Sequence, residues 1–488
     1  MPATAENIQA EPTPLAAEAL ARDPRVAEAR ALLRAALDDA TASIDGVRGP
    51  DPARAAAYGA RLTQYAADRG GALWYPYLGS GVGRGPFVEL ADGSVKYDMT
   101  NGIGVHVMGH SHPDLLDTGI DAALGDVVMH GALQQNEDSA TLSRKLIDLA
   151  RASGAPLSHV YLTTSGAMAN ENSFKMAFQK RALEGHPADR MLAFQGTFCG
   201  RTLALSSMSD KPGNRVGLPK AMDVDYVPFF DEGDPAGSTR RAVDRLHEHL
   251  TRWPGHHAGF KMELIIGEGG FYAGTHDFFM ALIEPLKAAG VAVICDEIQS
   301  FSRTSRPFAF QHFGLDSHVD LVNIGKSTQL CATLFSDAWA PRPGLIAQTF
   351  TGSTSSIRAA HHILDLMRDG GWYTAPGNDP ADDIGTVMRV SERLRNGLRD
   401  LAADHPDRVS GPFGLGSMIA FTPFDGTLDT AKSILDDLYA HGVVAFVCGR
   451  EHARIRFLPA CAVLEDHHID DVLGILRGAL DRHAGILA

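Results

Sequence analysis

The sequence predicts an α/β protein: a mostly parallel sheet between helices, joined to a smaller α+β unit. Three observations predict it. From about residue 86 onward, short apolar runs alternate with helical patterns: HVYL at 159–162, MLAF at 191–194, VDYVPF at 224–229, ELII at 263–266, VAVIC at 291–295 and DLVNI at 320–324. Strand and helix in alternation are what crossover-connected parallel strands produce. After about residue 360 the pattern changes to a long helix, then GSMIAF, VVAFV and RIRFL separated by helical stretches. The chain also has 488 residues, 44% apolar and 21% charged, enough for two or three domains with cores of their own.

In chain order, the first twenty residues are rich in Ala, Glu and Pro and are expected to form a loose arm. Asp23 and Pro24 then suit the N-cap and first position of a helix. Val26, Leu33, Leu37 and Ile44 recur at spacings of seven and four, which puts them on one predicted stripe. GVRGPDP at 46–52 ends that helix, and a second is expected near 52–69. This region is read as a packing or dimer-clasping arm.

Several motif-like stretches fail on spacing. GSGVGRG at 79–85 does not complete GxGxxG in either frame, because Arg84 and Pro86 stand where the last glycine belongs, and it is read as a loop. GKS at 325–327 lacks the upstream glycine of a phosphate-binding P-loop, its place being taken by Asp320. HVMGHSHP at 106–113 offers His106, His110 and His112 but has Gly and Pro where a metal-binding helix is needed, so a structural turn is expected and no metal.

The net charge of -15 works against phosphate-backbone binding, so nucleic acid is not an expected partner. No apolar run approaches the roughly 20 residues needed to cross a bilayer, and the start lacks the basic and apolar pattern of a secretory signal. The five cysteines, at 199, 295, 331, 448 and 461, form no CxxC pair and suggest neither a disulfide framework nor zinc. A cytosolic protein acting on small molecules is the expectation.

Three features carry chemistry. TTSGAMANENSFKMAF at 163–178 follows the HVYL strand, so Ser165, Gly166 and Ala167 turn into a helix whose free N–H groups suit a phosphate. Taken alone, it is equally an ordinary strand-to-helix turn. Asp296 and Glu297 leave the end of the VAVI strand, where ligands of open α/β sheets gather. A carboxylate there fits a protonated pyridine nitrogen, the alternative being a Mg²⁺-binding pair. Lys326 follows the DLVNI strand, where burial favours loss of its proton and makes it a nucleophile for a Schiff base. On its own it is also readable as a solvated or salt-bridged lysine. The three together meet the requirements of pyridoxal 5'-phosphate.

Over residues 75–480 the sequence resembles the class III aminotransferases of fold type I, among them lysine ε-, ornithine and 4-aminobutyrate aminotransferases. The matched motifs are GHxHP at 109–113, SGxxANE at 165–171, FxGxFHGRT at 194–202, DEVQ at 296–299 and TFGGN at 349–353. The resemblance implies a mostly parallel seven-stranded sheet in a large domain at 111–360. A small domain would be built from 75–110 and 361–488, with the arm at 1–74. It also implies that Phe198 stacks on the pyridine ring, Asp296 pairs with its nitrogen and Gln299 bonds its 3-oxygen. Thr349 would reach the phosphate of the neighbouring subunit of a homodimer. ELIIGEGG at 263–270 and IRFLPA at 455–460 match segments whose glutamate and arginine, here Glu268 and Arg456, form a gate. Opened, the gate frees a guanidinium for the carboxylate of 2-oxoglutarate.

The implied activity moves a terminal or ω-amino group of an amino acid or diamine to an oxo acid through the Schiff base of Lys326. The alternatives are a racemase, epimerase or aminomutase on the same scaffold, or a non-catalytic protein keeping the fold. The sequence departs from the family in Cys199 for histidine, Ile266 for glutamine, a residue missing after Gln299, and Ser353 with Thr354 for Asn-Pro. GKSTQLC after the lysine looks more like lysine ε-aminotransferase than the acetylornithine enzymes.

Overall fold

The structure is a computed structural model describing residues 13–126, 128–373 and 384–487. Its centre is a seven-stranded sheet made of β1 (Leu157–Thr163), β2 (Arg190–Phe194), β3 (Asp223–Val227), β4 (His257–Met262), β5 (Ala292–Glu297), β6 (Leu321–Ile324) and β7 (Cys331–Ser336). The strand order is β1-β7-β6-β5-β4-β2-β3. All neighbours are parallel except β7, which runs against both β6 and β1. β4, β5, β6 and β7 are buried at every residue, as strands covered by helices on both faces must be. Each fully buried Val, Ile or Phe there contributes about 1.5–3 kcal/mol by leaving water.

Two strand expectations need correction. ELII at 263–266 is not a sheet strand: the strand is HAGFKM just before it, and Ile265–Ile266 forms a separate ribbon with Tyr272–Ala273. CATLFS, which sequence pattern did not single out, supplies the antiparallel β7.

A four-stranded sheet of Val409–Leu415, Met418–Pro423, Arg454–Phe457 and Phe446–Cys448 lies beyond it in the chain. Another joins Gly79–Arg84, Phe87–Leu90 and Val95–Asp98 to Val443–Val444, so the segment near residue 90 shares a sheet with the C-terminal part. One apolar cluster accordingly includes Phe87, Tyr97, Leu394, Ile434 and Leu476. The long helix expected after 360 is two helices, Thr354–Asp369 and Thr386–Asp404.

GSGVGRG is a strand rather than a loop, paired with Phe87–Leu90. Its glycines serve close approach: a Cβ on Gly83 would stand 2.3 Å from the Phe87 carbonyl oxygen and 2.6 Å from His110 Cβ. His110 itself binds Asp98 at 2.9 Å and stacks on His106, and His112 occupies the N-cap of the helix Pro113–Ala123.

The arm expected over the first twenty residues lies partly outside the described residues; within them, Ala16–Ala21 is helical. Asp23 caps the helix Pro24–Thr41, with Pro24 at its first position, and Ala55–Asp68 forms the second helix. The apolar stripe is corrected at one position. Val26 and Leu37 are half-buried and Ile44 is buried, but Leu33 is 48% exposed, and the same inner face also carries Arg30 and Arg34, which pair with Asp121 and with Asp114 and Asp117 of the helix Pro113–Ala123. Arginine stems cover apolar surface while their heads reach carboxylates, so a count of apolar residues alone left them out.

Candidate active site

The carboxyl ends of β5 and β6 and the helix after β1 converge on one cavity of about 230 Å³, lined among others by Gly166, Ala167, Phe198, Glu268, Asp296, Gln299 and Lys326. Ser165 caps the helix Gly166–Leu183 by accepting from Met168 N at 3.3 Å, which leaves the first N–H groups without intrahelical partners. A Cβ on Gly166 would come 2.9 Å from Ile298 Cγ2, so only glycine lets the helix start this close to the end of β5.

Asp296 is 6% exposed at the cavity floor. Its Oδ2 accepts from Asn170 Nδ2 at 2.9 Å and lies 3.0 Å from Lys261 Nζ, while Oδ1 accepts from Ile298 N at 3.1 Å. Asn170 is held from below, its Oδ1 accepting from Asn323 Nδ2 at 2.9 Å. Glu297 points to the other side, as the alternation of a strand requires, and accepts from the backbone N–H groups of Ala309 and Phe310. Burial pushes its carboxyl up to about 8. Asp296 and Glu297 therefore do not form a pair, which removes the Mg²⁺ alternative.

Lys326 opens a short 3₁₀ turn two residues beyond β6, with φ at +53°, a left-handed conformation that a lysine adopts only under local constraint. Burial pulls its amine down to about 8; Glu268 opposes the shift, and the Arg456 and Arg303 cations add to it. Glu268 Oε1 accepts from Arg456 NH1 at 2.6 Å, and its other oxygen lies 3.7 Å from Lys211 Nζ. Arg456 is fully buried, with Nε and NH2 lacking protein partners, and it stands behind Glu268 rather than on the cavity wall. Thr349 stands apart from the cavity and is exposed beside the 56% exposed Phe350.

Sequence reasoning missed Lys261, Glu263 and Asn170. Lys261 is fully buried and binds Glu263 Oε1 at 2.9 Å as well as Asp296. The signal was present: a lysine inside the strand HAGFKM must find carboxylates or unfold the strand.

A model for the family described as aminotransferase class-III matches residues 80–480. The chain belongs to the class III aminotransferases. This aminotransferase is 28% identical to the L-lysine-epsilon aminotransferase of Mycobacterium tuberculosis over 419 residues, 80% of this chain and 89% of the other. It is 29% identical to the acetylornithine aminotransferase of Streptomyces coelicolor over 412 residues, 82% and 90% of the two chains. Solved structures with the same fold include the lysine aminotransferase from M. tuberculosis in the internal aldimine form, with TM-score 0.75 and 23% identity over 86% of this chain and 99% of that one. An omega-transferase from Vibrio fluvialis has TM-score 0.71 and 23% identity over 83% and 99%.

The fold is that of the type I pyridoxal-phosphate enzymes, and the activity is transamination. The cofactor is pyridoxal 5'-phosphate, and the aminotransferase's cavity suits it. Gln299 Oε1 is buried there without a partner, the open helix start suits an anionic phosphate, and the Asp296 carboxylate at the floor suits a cationic ring nitrogen. Among the described residues no group of three or more His, Cys, Asp or Glu is arranged to hold a metal, and no helix is long and apolar enough to cross a membrane.

The depressed pKa of Lys326 has a direct consequence. An amine with a folded pKa of about 8 is mostly neutral above pH 8 and charged below it, and only the neutral form attacks an aldehyde. On the proposal that Lys326 is the amine that takes the cofactor, the rate at which the cofactor-free enzyme captures pyridoxal phosphate is expected to rise with pH through a midpoint near 8, followed by stopped-flow absorbance. A midpoint near the ordinary lysine value would contradict the burial of this amine.

Proposed function

We propose that this aminotransferase takes the terminal amino group of an amino acid or diamine and delivers it to 2-oxoglutarate, using Lys326 as the cofactor-bearing residue. The observation that carries the proposal is the 2.6 Å pair of Arg456 and Glu268 at the cavity edge. When bound, the coenzyme supplies an aldehyde for an amine and a ring that takes up the electron pair left at the substrate carbon. Lys326 Nζ would hold the coenzyme at rest, then take the proton from the substrate carbon and deliver it to the coenzyme's former aldehyde carbon rather than back to the substrate. Asp296 keeps the ring nitrogen protonated, Gln299 bonds the 3-oxygen, Phe198 covers one ring face, and Ser165, Gly166 and Ala167 receive the phosphate.

With Glu268 on Arg456, the guanidinium is neutralised and the cavity edge accepts an uncharged chain. Lys211, 3.7 Å from Glu268, gives that carboxylate a second cation to turn towards, which would free the Arg456 fork for an α-carboxylate. The similarity to L-lysine-epsilon and acetylornithine aminotransferases supports a terminal-amine donor.

The same proposal includes a homodimer, with Thr349 reaching the partner's phosphate. Support comes from Leu133, 98% exposed, and Phe350, 56% exposed, brought together by the Ala132 N to Gln348 O bond on the face that carries Thr349. The division into an arm at 1–74, a large domain at 111–360 and a small domain from 75–110 and 361–488 is supported by two apolar clusters that fall mainly on either side of it, with Met418, Ala420, Cys448 and Leu458 packing into the large-domain cluster and Ile44 of the arm into the small-domain one. Five buried free thiols suit a reducing cytoplasm.

The test is Arg456→Met, assayed with ω-amino acids, diamines and α-amino acids against 2-oxoglutarate and pyruvate. A charge-assisted bidentate contact is worth about 1.5–3 kcal/mol, so KM for 2-oxoglutarate should rise about 10- to 100-fold. KM for terminal-amine donors should change by less than about 3-fold, since the pair is already neutral when they bind. Pyruvate carries the same α-carboxylate and should lose affinity in parallel, while an unchanged KM for 2-oxoglutarate would overturn the assignment.

A further inference from the structure

β4 places an ammonium against the carboxylate at the cavity floor. Lys261 Nζ is enclosed by Asp296 Oδ2 at 3.0 Å, Glu263 Oε1 at 2.9 Å, Thr197 Oγ1 at 2.9 Å and the Phe198 carbonyl at 2.8 Å. Glu263 in turn accepts from Phe198 N and Thr197 Oγ1 through one oxygen and from Gly267 N through the other. One ammonium thus ties the floor carboxylate, the loop bearing Phe198 and the turn leading to Glu268 into a single unit. Burial works against its charge, and the two carboxylates outweigh burial, so its pKa stands above the ordinary lysine value.

We propose that Lys261 is a positioning residue that tunes Asp296, lowering the proton affinity Asp296 confers on the coenzyme's ring nitrogen and fixing the net charge of the floor at one negative unit. The proposal rests on the reading that Asp296 faces that nitrogen. Two carboxylates against one ammonium leave one negative charge, which a protonated ring nitrogen neutralises. Without the ammonium, two negative charges would share one buried site. With it, Asp296 Oδ2 already serves Lys261 and Asn170 and is a weaker partner for the ring.

No other group nearby supplies the same balance. Cys199 is buried and its thiol is pushed up to about 12, so it is neutral. Asn170 carries no charge, Glu297 faces the other side of β5, and Glu268 is engaged by Arg456 and flanked by Lys211. Lys326, across the cavity, is occupied by the coenzyme at rest in the proposed function.

The test is ring-nitrogen NMR of the holoenzyme loaded with pyridoxal phosphate labelled with ¹⁵N in the ring, titrated with pH. Near charges move a pKa by about 1–3 units, so Lys261→Met should raise the ring midpoint by about one unit or more. Glu263→Gln should lower it, since Lys261 then acts on Asp296 alone. The double variant, which restores one negative charge, should return to within about half a unit of the wild type. If Lys261→Met does not fold, the opposite shift in Glu263→Gln still decides. An unmoved midpoint in these variants, with Asp296→Asn shifting it, would reduce Lys261 to packing. An unmoved midpoint in Asp296→Asn as well would instead overturn the placement of Asp296 against the ring.

Discussion

Replacing Lys326 with alanine is expected to lower turnover by about 10⁴-fold or more and to abolish covalent attachment of the coenzyme. The size follows from two losses at one atom. A positioned acid–base group is worth about 10²–10⁴-fold, and in the proposed function the same amine also provides the covalent route by which coenzyme is held and handed over. No second lysine can take its place. Lys261 is locked as an ammonium between Glu263 and Asp296 with its pKa raised, so it has no free electron pair to offer. Lys211 lies on the far side of Glu268. Borohydride reduction followed by peptide mass mapping checks the attachment: wild-type enzyme carries the coenzyme mass on the peptide containing Lys326, and Lys326→Ala carries none. Lys326→Arg keeps a positive charge but not a nucleophile, and should match the alanine variant. Near-normal turnover in either would remove Lys326 from the chemistry.

The sequence made the central strands legible because their burial is extreme. VAVIC is apolar without alternation and DLVNI is apolar but for Asp320 and Asn323, and both gave strands buried on every residue. The phosphate-type turn was legible as small residues between strand and helix, and it became a Ser165-capped helix start. What escaped was set by partners remote in sequence. The arm's inner face includes Arg30 and Arg34 beside Val26 and Leu37 because Asp114, Asp117 and Asp121 lie on the facing helix, and no pattern within 24–41 shows that. β7 was passed over because it follows Lys326 after one tight turn and runs backwards between β6 and β1. Lys261 was hidden by the assumption that strand positions follow from apolar runs, although its cost in a buried strand was itself the clue. The opposite directions of Asp296 and Glu297 follow from strand alternation alone and needed no structure.

Asp296→Asn should cost less than loss of Lys326 in covalent attachment and nearly as much in turnover. Asparagine keeps the shape but has one acceptor oxygen, so it can keep the bond from Asn170 Nδ2 or the one from Ile298 N and not both, and it cannot hold a proton on a pyridine nitrogen. A neighbouring carboxylate shifts such a proton equilibrium by about 1–3 units, and each unit is about 1.4 kcal/mol. An unprotonated ring takes up electrons poorly, so turnover should fall on the order of 10³-fold while borohydride still fixes coenzyme to Lys326. Stability should fall only modestly. Lys261 retains Glu263 at 2.9 Å, so the variant does not strand a buried charge, the situation that costs about 3–5 kcal/mol when a pair loses its only partner. A coenzyme analogue methylated on the ring nitrogen separates the two roles of Asp296. It carries the positive charge without a proton, so it should restore much of the turnover of Asp296→Asn if the carboxylate acts by holding that proton. Failure of the analogue, with coenzyme demonstrably bound, would mean that Asp296 acts by positioning the ring instead.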